Sequence, residues 1–476
     1  MTSNDAPILV LFRNDLRIRD NRALAAAAAT GRPVVPLFIL DEEGHGARRK
    51  GAASRWWLHH SLDALARDLD GLGARLILRQ GATQRIVAEA LEATSAGSVF
   101  WNRRYAPADI ATDKAMMAKL REDGFVAESF EGFLLHEPLR LRTQAGDFYK
   151  VFTPFYRKLS ELQHRHPVDA PGSLAGWKGK PHGDPLGALA LLPGKPDWSG
   201  GLSERWQPGE EGALRRLETF VDDRLDGYAE RRDFPGEDGT SGLSPHLAHG
   251  EITPFQVMAA VSRKRSADAE TFRKEVGWRE FCYHLLFNLP RIDRENIRDE
   301  FDAFAWRGAE AELKAWRRGL TGYPIVDAGL RELWRTGWMH NRVRMIVASF
   351  LVKDLLIDWR EGEAWFWDTL VDADAANNPA SWQWVAGAGA DAAPYFRIFN
   401  PVLQGEKFDS RGVYIRRYVP ELAGLPDKYI HRPWEAPAQV LRQCGLTLGK
   451  DYPHPVVDHA AARDRALAAY RSARGQ

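Results

Sequence analysis

The strongest constraint on this chain is a change of rhythm near residue 135. Before it, short apolar or β-branched runs at 8–12, 34–40, 76–78, 99–101 and 125–130 alternate with helical spacing over 21–29, 55–69, 83–91 and 108–123. Right-handed crossovers turn such an alternation into a parallel sheet covered on both faces, so a doubly wound, Rossmann-like α/β domain is expected. Between 136 and 207 the pattern dissolves into Pro, Gly and polar residues, which predicts a long linker with one short helix near 154–163. From 208 to 476 strand signals nearly vanish, and segments such as 273–286, 323–336 and 341–358 carry apolar residues at helical spacing. The expected organisation is therefore an α/β domain over 1–135, a linker over 136–207 and a larger all-α domain over 208–476.

Composition limits the function classes. Lys plus Arg is 65 and Asp plus Glu is 64, a net charge of +1, and the first 135 residues hold 18 basic and 17 acidic side chains. Neither part is a general cation, so a polyanion must be met by a local patch. Two cysteines, Cys282 and Cys444, are too few for a disulfide framework, and the N-terminus lacks the regions of a signal peptide. A cytoplasmic location is expected. The apolar run 345–352 stops at Lys353 and Asp354, well short of a membrane span. Of the 17 tryptophans, 11 lie at or beyond Trp278. Core packing accounts for many of these; stacking or electron transfer is the sharper use.

Several short motifs carry chemistry. Gly387 to Ala392 formally matches a dinucleotide fingerprint, but Pro394 follows at once and no βαβ unit precedes it, so a tight turn is expected instead. Gly239-Thr-Ser-Gly-Leu-Ser244, before Pro245, sets small hydroxyls and flexible backbone at a helix start, where N–H groups hold a diphosphate or simply cap the helix. Phe272, Glu275, Arg279 and Cys282 share a helical stripe with Trp278 beside it, a set that serves a heterocycle or forms a Glu275–Arg279 ion pair over core. Asn341 and Met345 are one turn apart, whereas Arg342 and Arg344 point elsewhere, one free for a phosphate and one for a buried acid. Asp372 and Asp374 lack a third ligand at metal spacing, so no metal is expected. Asn378 and Trp382, at i and i+4, aim at one object.

Together these residues resemble the photolyase/cryptochrome family over nearly the whole chain. The likeness rests on Leu11-Phe-Arg-Asn-Asp-Leu-Arg17, Thr240-Ser-Gly-Leu-Ser-Pro245, Trp278-Arg-Glu-Phe281, Gly337-Trp-Met-His-Asn-Arg342, the stretch from Asp372 to Trp384, and Asp391-Ala-Ala-Pro-Tyr-Phe-Arg397 with Asn400-Pro401. It implies an α/β antenna domain, a connector and a helical flavin domain. Position by position it places Tyr228, Thr240, Ser241, Gly242, Leu243, Ser244, Phe272, Arg279, Arg344, Asp372, Ala373, Asp374 and Asn378 around a U-shaped FAD. Phe272 replaces an indole common there. The implied lesion pocket is Glu275, Trp278, Asn341, Met345 and Trp384, with Arg232, Arg342 and Gln404 on the DNA strand. The resemblance further implies catalytic roles for Glu275, Asn341, Met345 and Asn378, and an electron chain from flavin to solvent through Trp382, Trp359 and Trp306.

The same resemblance separates subgroups. Enzymes for (6-4) lesions look for histidines where this chain has Asn341 and Met345, and Asn378 is the repair-type residue, so a cyclobutane pyrimidine dimer in DNA is the implied substrate. The alternative is a blue-light signalling photoreceptor without repair. The chain groups with bacterial class I and class III enzymes. Ala108 and Asp109 depart from a folate-holding Asn and Glu, while Arg55-Trp-Trp-Leu-His-His-Ser61 looks like class III. The implied antenna is 5,10-methenyltetrahydrofolate, with a deazaflavin as its alternative. A monomer with no obligate protein partner is expected.

Overall fold

The computed structural model describes residues 5–42, 44–180, 182–391 and 397–473. Five strands, β1 (Ile8–Phe12), β2 (Val34–Leu40), β3 (Ile77–Gln80), β4 (Ser98–Asn102) and β5 (Val126–Phe130), form one parallel sheet in the order β3-β2-β1-β4-β5. Helices α1 (Arg22–Ala29), α2 (Ala52–Gly71), α3 (Thr83–Thr94) and α4 (Pro107–Glu122) cover it. The period of two divides β1 between two cores: Ile8, Val10 and Phe12 pack on one side, Leu9 and Leu11 on the other. Asn21 caps α1 by accepting from Leu24 N at 3.0 Å. β3 starts one residue later than its apolar run and extends to Gln80, because pairing with Ile39 and Leu40 carries the polar end along.

The 136–207 stretch clings to both neighbours. Val34 N donates to Ala175 O at 2.8 Å and Trp177 N to Val34 O at 3.3 Å, beside the sheet. Its helix, α5 (Phe152–Ser160), begins two residues before the expected start, since Phe152, Phe155 and Leu159 point together into the helical core.

The helical domain includes α6 (Glu210–Thr219), α7 (Tyr228–Arg231), α8 (Ser244–His249), α9 (Ala267–Asn288), α10 (Pro324–Thr336), α11 (Asn341–Ser349), α12 (Trp359–Thr369), α13 (Asn377–Ala386), α14 (Pro401–Phe408), α15 (Val413–Tyr418) and α16 (His459–Ala473). The single helix expected over 341–358 is broken. After Ser349 a wider turn runs over Phe350–Asp354, Leu356 takes φ +52°, and Asp358 accepts from Arg360 N at 3.0 Å to start α12. An aspartate that caps a new helix competes with continuation of the old one.

Buried polar contacts join the domains. Arg17 donates to Gly250 O at 2.8 Å, Asp20 accepts from Thr253 Oγ1 at 2.6 Å, and Glu210 accepts from Ile18 N and Arg19 N at 2.8 and 3.0 Å. Gly250 has φ +68° and a Cβ there would lie 1.8 Å from Asn14 O, so only glycine permits this approach. No described helix is long and apolar enough to cross a membrane.

Candidate flavin and DNA site

The chain enters α8 through Thr240 to Leu243, with Gly242 at φ +59°. Ser244, at the first position of α8, donates through Oγ to Asp372 Oδ2 at 2.6 Å and accepts from Trp338 Nε1 at 3.3 Å. Arg344 on α11 donates to the same Oδ2 at 2.8 Å and to Met339 O at 2.7 Å. Asp372 Oδ1 is buried with no hydrogen-bond partner among the described residues. An unsatisfied buried acceptor is costly, and an N–H of a heterocycle satisfies it. That open oxygen, beside a guanidinium and a helix start, fits a flavin.

The neighbouring residues are held as firmly. Asp374 Oδ1 accepts from Ala376 N and Asn377 N at 2.8 and 2.6 Å, and burial pushes its carboxyl upward against those bonds. Asn378 Nδ2 donates to Glu363 O at 3.0 Å and Glu363 Oε1 at 2.8 Å. Tyr228 and Phe272 pack edge to face with centroids 5.4 Å apart, and Phe220 stands 4.4 Å from Phe272, so the three rings form one aromatic cluster. The Glu275–Arg279 pair does not form: Arg279 pairs with Glu280 at 3.0 Å and lies over Phe133 and Tyr283, whereas Glu275 pairs with Arg232. A short α7 brings Arg232 to the Glu275 side of α9, which the periodicity of one helix cannot reveal.

The outer rim is cationic but occupied. Arg342 Nη2 donates to Asp233 at 2.7 Å, its guanidinium lies 4.4 Å from the Phe408 ring, and Nη1 is 3.9 Å from Met345 Sδ. Asn341, the first residue of α11, is exposed; Gln404 shares α14 with Phe408. Trp278 is half-buried, with one face stacked on Phe152 at 3.7 Å and 7°. Trp384 is half-buried on the main helical core.

Trp382 is 2% exposed and Trp359 is fully buried in one core, with Trp306 half-buried at its edge against Phe304 at 4.4 Å. The Trp382 ring lies against Gly362, on α12 one turn from Trp359, whose Nε1 donates to Asn296 Oδ1 at 3.0 Å. Trp316, 6.3 Å from Trp382, was not signalled by spacing; nor were Glu363, Asp233 and Phe152, which reach the site only through tertiary packing. Gly387 ends α13 in the left-handed region at φ +90°, the expected tight turn. Ala392, Pro394 and the rest of Ala-Ala-Pro-Tyr-Phe lie outside the described residues. Among the described residues no group of three His, Cys, Asp or Glu is placed to hold a metal.

Comparison with known proteins identifies the family. Residues 8–172 match the DNA photolyase family and residues 272–472 the FAD binding domain of DNA photolyase. The chain therefore belongs to the DNA photolyase family, with an FAD-binding helical domain behind its α/β domain. It is 56% identical over 475 residues to the deoxyribodipyrimidine photo-lyase of Agrobacterium fabrum, covering 99% of this chain and 98% of that one. A crystal structure of a bacterial class III photolyase from Agrobacterium tumefaciens superposes with TM-score 0.97 at 55% identity, covering 100% and 99% of the two chains. Cryptochrome-2 of Arabidopsis thaliana is 36% identical, covering 97% of this chain and 78% of its own length.

Proposed function

We infer that the chain is a deoxyribodipyrimidine photo-lyase, which repairs cyclobutane pyrimidine dimers in DNA with light. The observation that carries this reading is the buried Asp372, paired to Ser244 and Arg344 with one oxygen open, together with the partly exposed arginines Arg232 and Arg342. Tyr228, Thr240, Ser241, Gly242, Leu243, Ser244, Phe272, Arg279, Arg344, Asp372, Ala373, Asp374 and Asn378 hold FAD, and reduced FAD supplies, when excited, the electron that splits the dimer. Arg344 and Asp372 set the local charge, and the neutral Asn378 faces the ring without adding a negative one.

Arg232, Arg342 and Gln404 hold the strand; the two arginines exchange Glu275 and Asp233 for phosphate, so affinity falls with salt despite a net charge of +1. A dimer pairs and stacks poorly, which makes it the least costly site to extrude. Trp384 and the free face of Trp278 receive it at about 1–3 kcal/mol per stacked base. Asn341 and Met345 line its seat, and Glu275, released from Arg232, hydrogen-bonds a base edge and steadies the charge the dimer acquires. Trp382, Trp359 and Trp306 restore the reduced state. The antenna is 5,10-methenyltetrahydrofolate, with a deazaflavin as its alternative; Asp109 pairs with Arg104, so the folate is not seated on that carboxylate. The enzyme acts as a cytoplasmic monomer.

The test is repair of ultraviolet-damaged oligonucleotide in blue light against darkness. Repair in light alone is expected, with Glu275→Ala lowering the yield by about 10- to 100-fold while FAD stays bound. Full repair in darkness, or none in light, sinks the reading, and light-dependent partner binding without repair favours the signalling alternative.

A further inference from the structure

Arg48 lies between β2 and α2, yet its guanidinium crosses the domain boundary. Nη1 and Nη2 donate to Oε1 and Oε2 of Glu363 at 2.7 and 2.9 Å, and the group lies 4.2 Å from the centroid of Trp367. The Glu363 side chain is only 4% exposed. Its Oε1 also accepts from Asn378 Nδ2 at 2.8 Å, and its backbone O accepts from the same nitrogen at 3.0 Å. An amide nitrogen has two hydrogens, and both are committed here to groups that cannot donate while Glu363 is ionised. The orientation of the amide is thereby decided: nitrogen towards Glu363, oxygen away from it. Burial pushes the Glu363 carboxyl upward and the two bonds from Arg48 pull it back. Without Arg48, a buried carboxyl that takes up a proton becomes a donor, and the amide is free to turn over.

We propose that Arg48, a residue of the α/β domain, is a positioning residue for the flavin-facing amide of Asn378 and acts on it through Glu363. This rests on the flavin site proposed above. Flavin N5 bears a hydrogen in reduced FAD and none in oxidised FAD, so an amide oxygen held at that atom favours the reduced form, and an amide nitrogen the oxidised one. The seating of the α/β domain thus bears on how readily the flavin keeps its electrons.

The test measures the midpoint potential of FAD in the full-length holoprotein by dye equilibration. Arg48→Ala is expected to lose about tenfold in preference for reduced over oxidised FAD, which is about 30 mV in a two-electron potential. Glu363→Gln should match it, and Arg48→Lys should recover most of the loss. The control is Asp368→Ala, which removes another cross-domain bond, Ala52 N to Asp368 Oδ1 at 2.9 Å; Asp368 hydrogen-bonds neither Glu363 nor Asn378 among the described residues. It should lower Tm and leave the potential alone. In the apoprotein, a protonated-carboxyl infrared band should appear in Arg48→Ala and disappear when Glu363→Gln is added. An unchanged potential in Arg48→Ala with FAD bound, or an equal fall in Asp368→Ala, overturns the proposal alone. A wild-type chain that binds no FAD overturns the flavin site and this inference together.

Discussion

Two buried aspartates, one in each domain, are used in opposite ways. Asp15 stands at the carboxyl ends of β1 and β4, where the strand order reverses and open α/β sheets customarily bind ligands. Its Oδ1 accepts from Arg13 N at 2.6 Å and its Oδ2 from Asn102 Nδ2 at 2.7 Å, while Arg13 also holds Asp113 at 2.9 and 3.3 Å. The crevice is filled by its own side chains. Asp372, in the helical domain, is bound on one oxygen and left open on the other. The customary ligand position of a fold is therefore a weaker guide than an acceptor that the protein buries and does not satisfy.

Exchanging the two residues attacks that contrast most directly. Asp15→Ala strands Arg13 N and one hydrogen of the Asn102 amide, whose other hydrogen stays on Asn21 Oδ1 at 2.8 Å, and should cost about 2–4 kcal/mol of stability with little change in FAD affinity. Asp372→Ala should cost less in the apoprotein but weaken FAD binding by at least about tenfold. Thermal melts of the apoproteins and FAD titrations decide between them; equal losses of FAD affinity would erase the distinction. A smaller effect is expected from glycine pairs. Gly362→Ala puts a Cβ 2.1 Å from the Trp382 ring and should cost about 1–3 kcal/mol by overpacking, with slower photoreduction. Gly71→Ala, at the end of α2, meets nothing within 4 Å and should leave Tm unchanged or slightly raised.

A pH dependence is also expected at the helical site. His340 Nδ1 accepts from Arg342 N at 3.2 Å and so caps α11, and burial lowers its pKa from 6.5 to about 4. The folded state binds this proton less tightly than the unfolded chain does. The stabilisation is thus complete above pH 6.5 and is lost as pH falls towards about 4, when protonation also removes the cap. Melts of wild type and His340→Asn across that window should differ in slope by no more than one proton; parallel curves would show that His340 contributes nothing.

Much of the fold was legible because periodicity is local. The run Ile8–Phe12 is apolar at every position, as a strand buried on both faces must be, and the spacing over 273–286 places a long helix whose observed span, Ala267–Asn288, starts six residues earlier at the Ser266 cap. The break after Ser349 was not legible, since apolar spacing continues through Leu355 while backbone and capping choices end the helix. In the site, Asn378 and Trp382 share α13 as their i, i+4 spacing required, and Arg344 met a buried acid. Of the two uses left open for the Glu275 stripe, the ion pair with Arg279 does not form, because Arg279 is its neighbour on one helix but Arg232 is its neighbour in space.

What the amino-acid order determined by itself is the division into a parallel α/β unit and a helical one, together with the residue types the chemistry needs, because propensity, alternation and helical spacing act over a few residues. Tertiary structure alone decided the pairings: Glu275 with Arg232, Arg342 with Asp233, and Arg48 with Glu363 across 315 positions of chain. Charges choose partners by distance and burial after the chain has packed, and no local pattern encodes either quantity.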